Sequence, residues 1–282
     1  MKKICLLALL CVSFCQLKAQ NSVVFKVKYL PNHNYHLVAG IGIKANVNIN
    51  GDQQTIDKIN KMGIKSPVTA DIAVNIDGNT VSGTAAADNS FPLNIDYDVA
   101  GIKLNFNGKE VPVPMGNKHN AKIYAHVGSD GQIKIDSADG KKVNDTTERK
   151  MQQMLNMMQS NIKFPEKPMN PGESFTQHMP INIPVKDKGD VKADASATYK
   201  LVSISGDLAN FTFTSTLTMN FKGEKVAMDI SGNGDGTMVY SIKNNFPVSK
   251  DGTFNIKLKL TADKVNVDGT AVVTTSVKGT ID

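Results

Sequence analysis

The chain has no tryptophan, a single arginine (Arg149) and only 3 cysteines among its 282 residues. Those cysteines, Cys5, Cys11 and Cys15, all lie near the N-terminus. Everything beyond them therefore lacks a disulfide, a thiol nucleophile and a cysteine-based metal site. It also lacks an apolar run long enough to cross a bilayer as a helix. Clustered basic residues with interleaved stacking aromatics, the footprint of nucleic-acid binding, are missing. The lysines are instead spread along strand-like stretches and read as a solvated face. No G-x-S-x-G elbow occurs, and His119, His126 and His178 are scattered. A reaction site needs convergent groups, so the sequence reads as non-enzymatic and without a cofactor.

The N-terminus is distinctive. Met1-Lys2-Lys3 is a short positive segment, Ile4 to Phe14 is apolar except for Ser13, and Leu17-Lys18-Ala19 places a small residue before a cleavage point. This is the pattern of a secretory signal peptide over residues 1–20, too short for a membrane span. A buried N-terminal helix is the alternative. Lipid attachment needs a small residue just before a cysteine. Cys11 follows Leu10 and Cys15 follows Phe14, which fits poorly. Loss of Lys2, Lys3 and Lys18 with the signal lowers the formal charge from +6 to +3. The expected destination is the periplasm or the cell exterior.

The remaining chain has a period of two. Ile41, Ile43, Ala45, Val47 and Ile49 alternate with polar or small residues, and so do Leu93, Ile95, Tyr97 and Val99. Phe211 to Phe221 and Phe254 to Leu260 repeat the pattern. Such alternation puts apolar side chains on one face of half-buried antiparallel strands. Asn50-Gly51, Asp77-Gly78, Asn107-Gly108, Asp130-Gly131, Asp251-Gly252 and Asp268-Gly269 read as hairpin turns, because these pairs tolerate positive φ. The expected class is mainly β with one main helix (α+β). The expected form is a curved antiparallel sheet, half-barrel or barrel.

Two stretches break the period. Residues 145–162 are predicted helical: Asp145 can cap, and Met151, Met154, Leu155, Met158 and Ile162 share one face. Asp52–Met62 reads as a shorter helix with Ile56 and Ile59 inward and Gly63 at its C-cap. Residues 163–175 form a Pro/Gly-rich crossing loop. One domain, 21–282, is thus expected from two strand-rich halves, 21–143 and 172–282, joined by helix 145–162 and that loop. A helix of this length covers about five or six of roughly a dozen strands, which lie about 4.8 Å apart. The surplus apolar face must close, fold over, or leave a groove. Methionine adapts to irregular apolar partners, so the five residues of the helix face are the candidate ligand contacts, lining a lipid-like cavity. The competing reading is a helix packed on its own sheet.

Other constellations are thin. His33 and His36 have metal-like spacing on a helix, but after Pro31 they sit at the start of a strand and face opposite sides. Ser231-Gly232-Asn233-Gly234-Asp235-Gly236 matches the oxygen spacing of a calcium loop, yet the twelfth position is Ile242. A glycine-rich hairpin turn is the plainer reading. Asp96 and Asp98 share one polar strand face and read as solvated surface.

Several short motifs recur in a fixed order: Tyr35, then Asp130-Gly131-Gln132-Ile133, then Phe164-Pro165, Pro168, and Pro171-Gly172-Glu173-Ser174-Phe175. Thr198-Tyr199-Lys200-Leu201, Gly234-x-Gly236-Thr237, Tyr240 and Phe246-Pro247 follow. This order resembles the exported bacterial family of unknown function DUF6263, with Phe175 where that family often has Trp and residues 52–62 as an insertion. The resemblance implies no activity. The plan of curved sheet plus helix also looks like LolA-type lipoprotein carriers, by architecture alone. Two functions are expected from this reading. One is binding of an apolar small molecule or lipid in a sheet/helix groove. The other is interaction with an envelope protein through an open sheet edge, with Asn210–Phe221 as the exposed strand.

Overall fold

The computed structural model describes residues 22–113, 120–141, 162–185, 189–224 and 226–282. Its elements are β1 (Asn34–Gly51), α1 (Gln53–Lys61), β2 (Val68–Ser82), β3 (Phe91–Phe106), β4 (Lys109–Glu110), β5 (Asn120–Val127) and β6 (Ile133–Ala138). The second half contributes β7 (Ser174–Val185), β8 (Gly189–Ser205), β9 (Leu208–Lys222), β10 (Val226–Ser241), β11 (Phe246–Ala262) and β12 (Val265–Ile281). The predicted signal segment and residues 145–161 of the predicted helix, including Met151, Met154, Leu155 and Met158, lie outside the described residues, and Ile162 is not helical.

All twelve strands belong to one sheet in the order β6-β5-β3-β2-β1-β12-β11-β10-β9-β8-β7, with β4 added to β3. Every pairing is antiparallel. The chain starts in the middle at β1 and meanders out to one edge at β6. It then resumes at the opposite edge with β7 and meanders back until β12 pairs with β1 from Tyr35↔Ile281 to Gly51↔Val265. Edges β6 and β7 do not pair with each other, so of the two expected forms the closed barrel is excluded. An 18-residue strand such as β1 is about 60 Å long.

The alternation read from sequence holds across the whole sheet. In register, Ile43 pairs with Ile72 and Val273, Val273 with Phe254, and Ile72 with Leu104. Paired residues point to the same side, so one face carries an apolar row from β3 to β11. We call it the inner face.

Turn chemistry accounts for fewer of the dipeptides than expected. Asn107-Gly108, with φ of 49° and 75°, makes the β3–β4 turn, and Gly131 lies in the β5–β6 turn. Asn50-Gly51 instead ends β1, and Asp77-Gly78, Asp251-Gly252 and Asp268-Gly269 lie inside β2, β11 and β12. The Ser231–Gly236 stretch is likewise the middle of β10, neither a calcium loop nor a turn. The reason is packing. Gly232, Gly234 and Gly236 are on the inner face, where a Cβ would collide with the rings of Phe254 or Phe213. Gly279, beside Leu37, does the same on β12. Glycine here lets large side chains lie flat across neighbouring strands.

Helix α1 does form between β1 and β2. Its N-cap Asp52 accepts from Thr55 N at 2.9 Å, Ile56 and Ile59 are its half-buried side, and Gly63 follows at φ 83°. Thr55 and then Lys264, 3.1 Å away in the β11–β12 turn, hold the Asp52 carboxyl down at about 2.

Most of the core fills one end of the sheet, and a smaller buried pair, Ala193 and Met219, lies towards the other end of β8 and β9. Residues 22–33 run over the first end as a strap. Val23 and Met169 exchange backbone hydrogen bonds, and Lys28 N donates to Asn245 O. Two buried tyrosines pin the strap. Tyr240 Oη donates to Lys26 O at 2.5 Å, and Tyr35 Oη accepts from Leu30 N at 2.7 Å. Beneath it, Phe25 packs on Phe164, Phe211 and Tyr240 with centroids 5.1–5.3 Å apart, beside Leu201, Met238 and Met169. Tyr29 packs on Tyr35 and Phe246, beside Leu37, Leu93, Ile95 and Ile123.

Candidate functional site

The far end of the inner face is built from the same alternation, and among the described residues little covers it. Ile41, Ile43, Val47, Ile72, Val74, Leu104, Phe254, Ile256, Leu258 and Val273 are all only half-buried. At the strapped end, in contrast, Tyr35, Leu93 and Leu201 are 0% exposed. Among the described residues, the strap and residues 162–169 cover only the first end of the sheet.

A cavity of about 240 Å³ lies where the covered and uncovered halves meet. Its walls come from β7 (Gln177, Met179), β8 (Ala197, Tyr199), β9 (Phe213, Ser215), β11 (Lys250, Gly252, Phe254) and β12 (Val273, Thr275), with Ile162 above. β8 and β11 are three inter-strand steps apart, roughly 14 Å, a gap that the two long side chains span, with Lys250 Nζ 3.3 Å from Tyr199 Oη. The Phe254 and Phe213 rings lie over the inner-face glycines Gly234, Gly236 and Gly252. Nζ also lies 5.2 Å from the Phe213 ring centre and 5.6 Å from that of Tyr199.

Lys250 is half-buried, and loss of hydration pushes its ammonium group below the ordinary lysine range. Among the described residues no carboxylate forms an ion pair with it. The neighbouring Asp251 is on the other strand face, accepting from Ser249 and Ser276. Burial alone raises the Tyr199 hydroxyl to about 12. The site is thus an apolar hollow with one cation and one neutral phenol at its floor. A larger cleft of about 800 Å³ between the strap and the β5–β6 turn is lined by mixed polar and apolar residues, Lys28, Asn89, Ser129 and Gln132 among them.

Of the five predicted ligand contacts, Ile162 alone is described. It is 6% exposed, buried with Phe25, Leu201 and Phe211, and its edge forms part of the cavity roof. Sequence reasoning missed Lys250 and Tyr199. The signal was available: extending the inward parity of Phe254, Ile256 and Leu258 backwards puts Lys250 inside. The other candidates are surface features. His36 Nε2 is 2.9 Å from Asp77 Oδ1, His126 Nδ1 is 2.9 Å from Asp136 Oδ1, and His33 Nδ1 meets the Pro31 carbonyl at 2.7 Å. Asp96 faces Lys122 at 4.0 Å. Among the described residues no three ligating groups converge on a metal position.

The edge reading is corrected. Asn210–Phe221 lies within β9, which is paired on both sides by β8 and β10. Among the described residues the edge strands are β6, six residues long, and β7, which carries Pro180 and Pro184. A short strand and missing N–H groups are the usual means of blunting an edge.

Fold and site together define an open, single-sheet β protein with an apolar inner face. Residues 134–247 match the model of a family of unknown function, DUF6263. No curated protein matches the sequence. Solved structures that align with it include the COG4313 outer membrane channel of Pseudomonas putida F1, at 7% identity and a TM-score of 0.19 over 90% of this chain and 98% of that one. The beta domain of the Bordetella autotransporter BrkA gives 7% and 0.19 over 86% and 98%. The outer membrane protease OmpT from Escherichia coli gives 6% and 0.20 over 91% and 99%. Likeness at these scores carries no argument about function, and the LolA-type analogy gains nothing from it. Among the described residues no helix is long and apolar enough to cross a membrane.

Proposed function

We propose that this is an exported, non-enzymatic binding protein of the cell envelope that shelters an apolar, lipid-like ligand on the uncovered half of its inner face. The supporting observation is the row Ile43, Ile72, Val273, Phe254 and their neighbours, apolar in register across the sheet yet half-buried. Contiguous apolar surface of this extent on a water-soluble protein marks an interaction site. A wall of aliphatic side chains with few polar groups suits an acyl chain.

Native mass spectrometry of the mature protein, purified without detergent, tests the reading. The expected spectrum carries the added mass of a lipid, which organic extraction removes. Extraction should also lower the melting temperature, since a ligand bound only to the native state stabilises it. A bare polypeptide mass under gentle ionisation, with stability unchanged by extraction, would remove the proposal.

A further inference from the structure

Among the described residues, Lys250 is the one charged side chain lining the cavity beneath Ile162. A lysine needed only for packing would extend its tip to water. This one turns its ammonium into a wall of Tyr199, Phe213 and Phe254, and desolvation weakens its hold on the proton. Ring faces attract a cation but do not neutralise it. An ammonium group has three N–H donors, and Tyr199 Oη is its one hydrogen-bond partner among the described residues. While it accepts from Lys250, Tyr199 keeps its own proton and can donate it. Two donors, Lys250 Nζ and Tyr199 Oη, therefore converge on the hollow with a formal charge of +1 between them. Apolar strands lead away from that point along β11, β12 and β1.

Resting on the function proposed above, we propose that the ligand is an anionic amphiphile, whose head-group oxygen pairs with Lys250 and Tyr199 while its chain lies along the open apolar face. An anion in this position completes the charge that the fold leaves unbalanced, and a charge-assisted hydrogen bond in low dielectric is stronger than one at the surface. A neutral lipid would leave Lys250 buried and unpaired, which is costly. The site thus selects by head group and tolerates variation in the chain, because a hydrophobic wall discriminates weakly between chain lengths.

The test uses the delipidated mature protein and a fluorescent polyene fatty acid, cis-parinaric acid, against its neutral methyl ester. Wild type should bind the acid on the order of tenfold or more tightly than the ester. Lys250→Met should bind the ester at least as tightly as wild type does and lose the preference for the acid; that ester binding also reports an intact fold. Lys250→Arg should keep the preference, because it keeps the charge. Excess acetate should not displace the acid, since the chain supplies most of the affinity. Equal binding of acid and ester by wild type, or a preference that survives Lys250→Met, overturns the head-group assignment and leaves the apolar site standing. Failure of wild type to bind either probe overturns the apolar site itself.

Discussion

Gly236 stands where any added carbon would run into the Phe213 ring and the Asp251 carbonyl, on the inner face of a strand paired on both sides. Gly236→Ala is therefore expected to destabilise the protein by about 1–3 kcal/mol, the usual range for overpacking. A urea titration should show a lower midpoint with an unchanged slope; an unshifted midpoint would mean the ring moves aside freely. The tyrosines set a second expectation. Burial holds the hydroxyls of Tyr199 and Tyr240 at about 12, against 10.0 for an exposed phenol. Their folded values are raised, so the stability they contribute is complete below pH 10 and is lost as pH climbs from 10 towards 12. Lys250 works the other way: its depressed value means that raising pH towards 10.5 relieves the cost of burying its charge. Urea midpoints measured against pH should therefore hold or rise up to about pH 10 and then fall, in step with tyrosinate absorbance. A midpoint that stays flat through pH 12 would contradict the burial of these hydroxyls.

The strands were legible because period two is a local property, visible in Phe211–Phe221 and Phe254–Leu260 without knowledge of neighbours. Helix α1 was legible for a similar reason, its cap and glycine stop being written in adjacent residues. The glycines were not. Asp-Gly within a strand and Asp-Gly in a turn look alike in sequence, and what separates them is whether a Phe or Leu from the next strand needs the space. Edge protection also belongs to this scale. Backbone N–H groups are absent at Pro180 and Pro184 on β7, a strand with one unpaired side. A variant carrying both Pro180→Val and Pro184→Val should restore those donors and raise the fraction of dimer or higher oligomer in light scattering. If the double variant keeps the wild-type mass distribution at high concentration, the prolines are not what guards that edge.

Openness of the sheet could not be read in advance, because it depends on whether β6 meets β7, and nothing local records which distant edges join. The candidate site was half legible. The surplus of apolar face over available cover followed from strand counting. Its polar focus did not, since Lys250 and Tyr199 come together only across β9 and β10, which separate β8 from β11 in the sheet. The pairing of β1 with β12 adds something at this scale that concerns birth rather than binding. Tyr35 finds its partner at Ile281, and Gly51 at Val265, so the central seam joins residues far apart along the chain, and such distant pairings form slowly. A polypeptide threading outwards N-terminus first must leave one flank of β1 bare until residues 265–281 have emerged. The molecule's middle is thus the last part of it that can be finished.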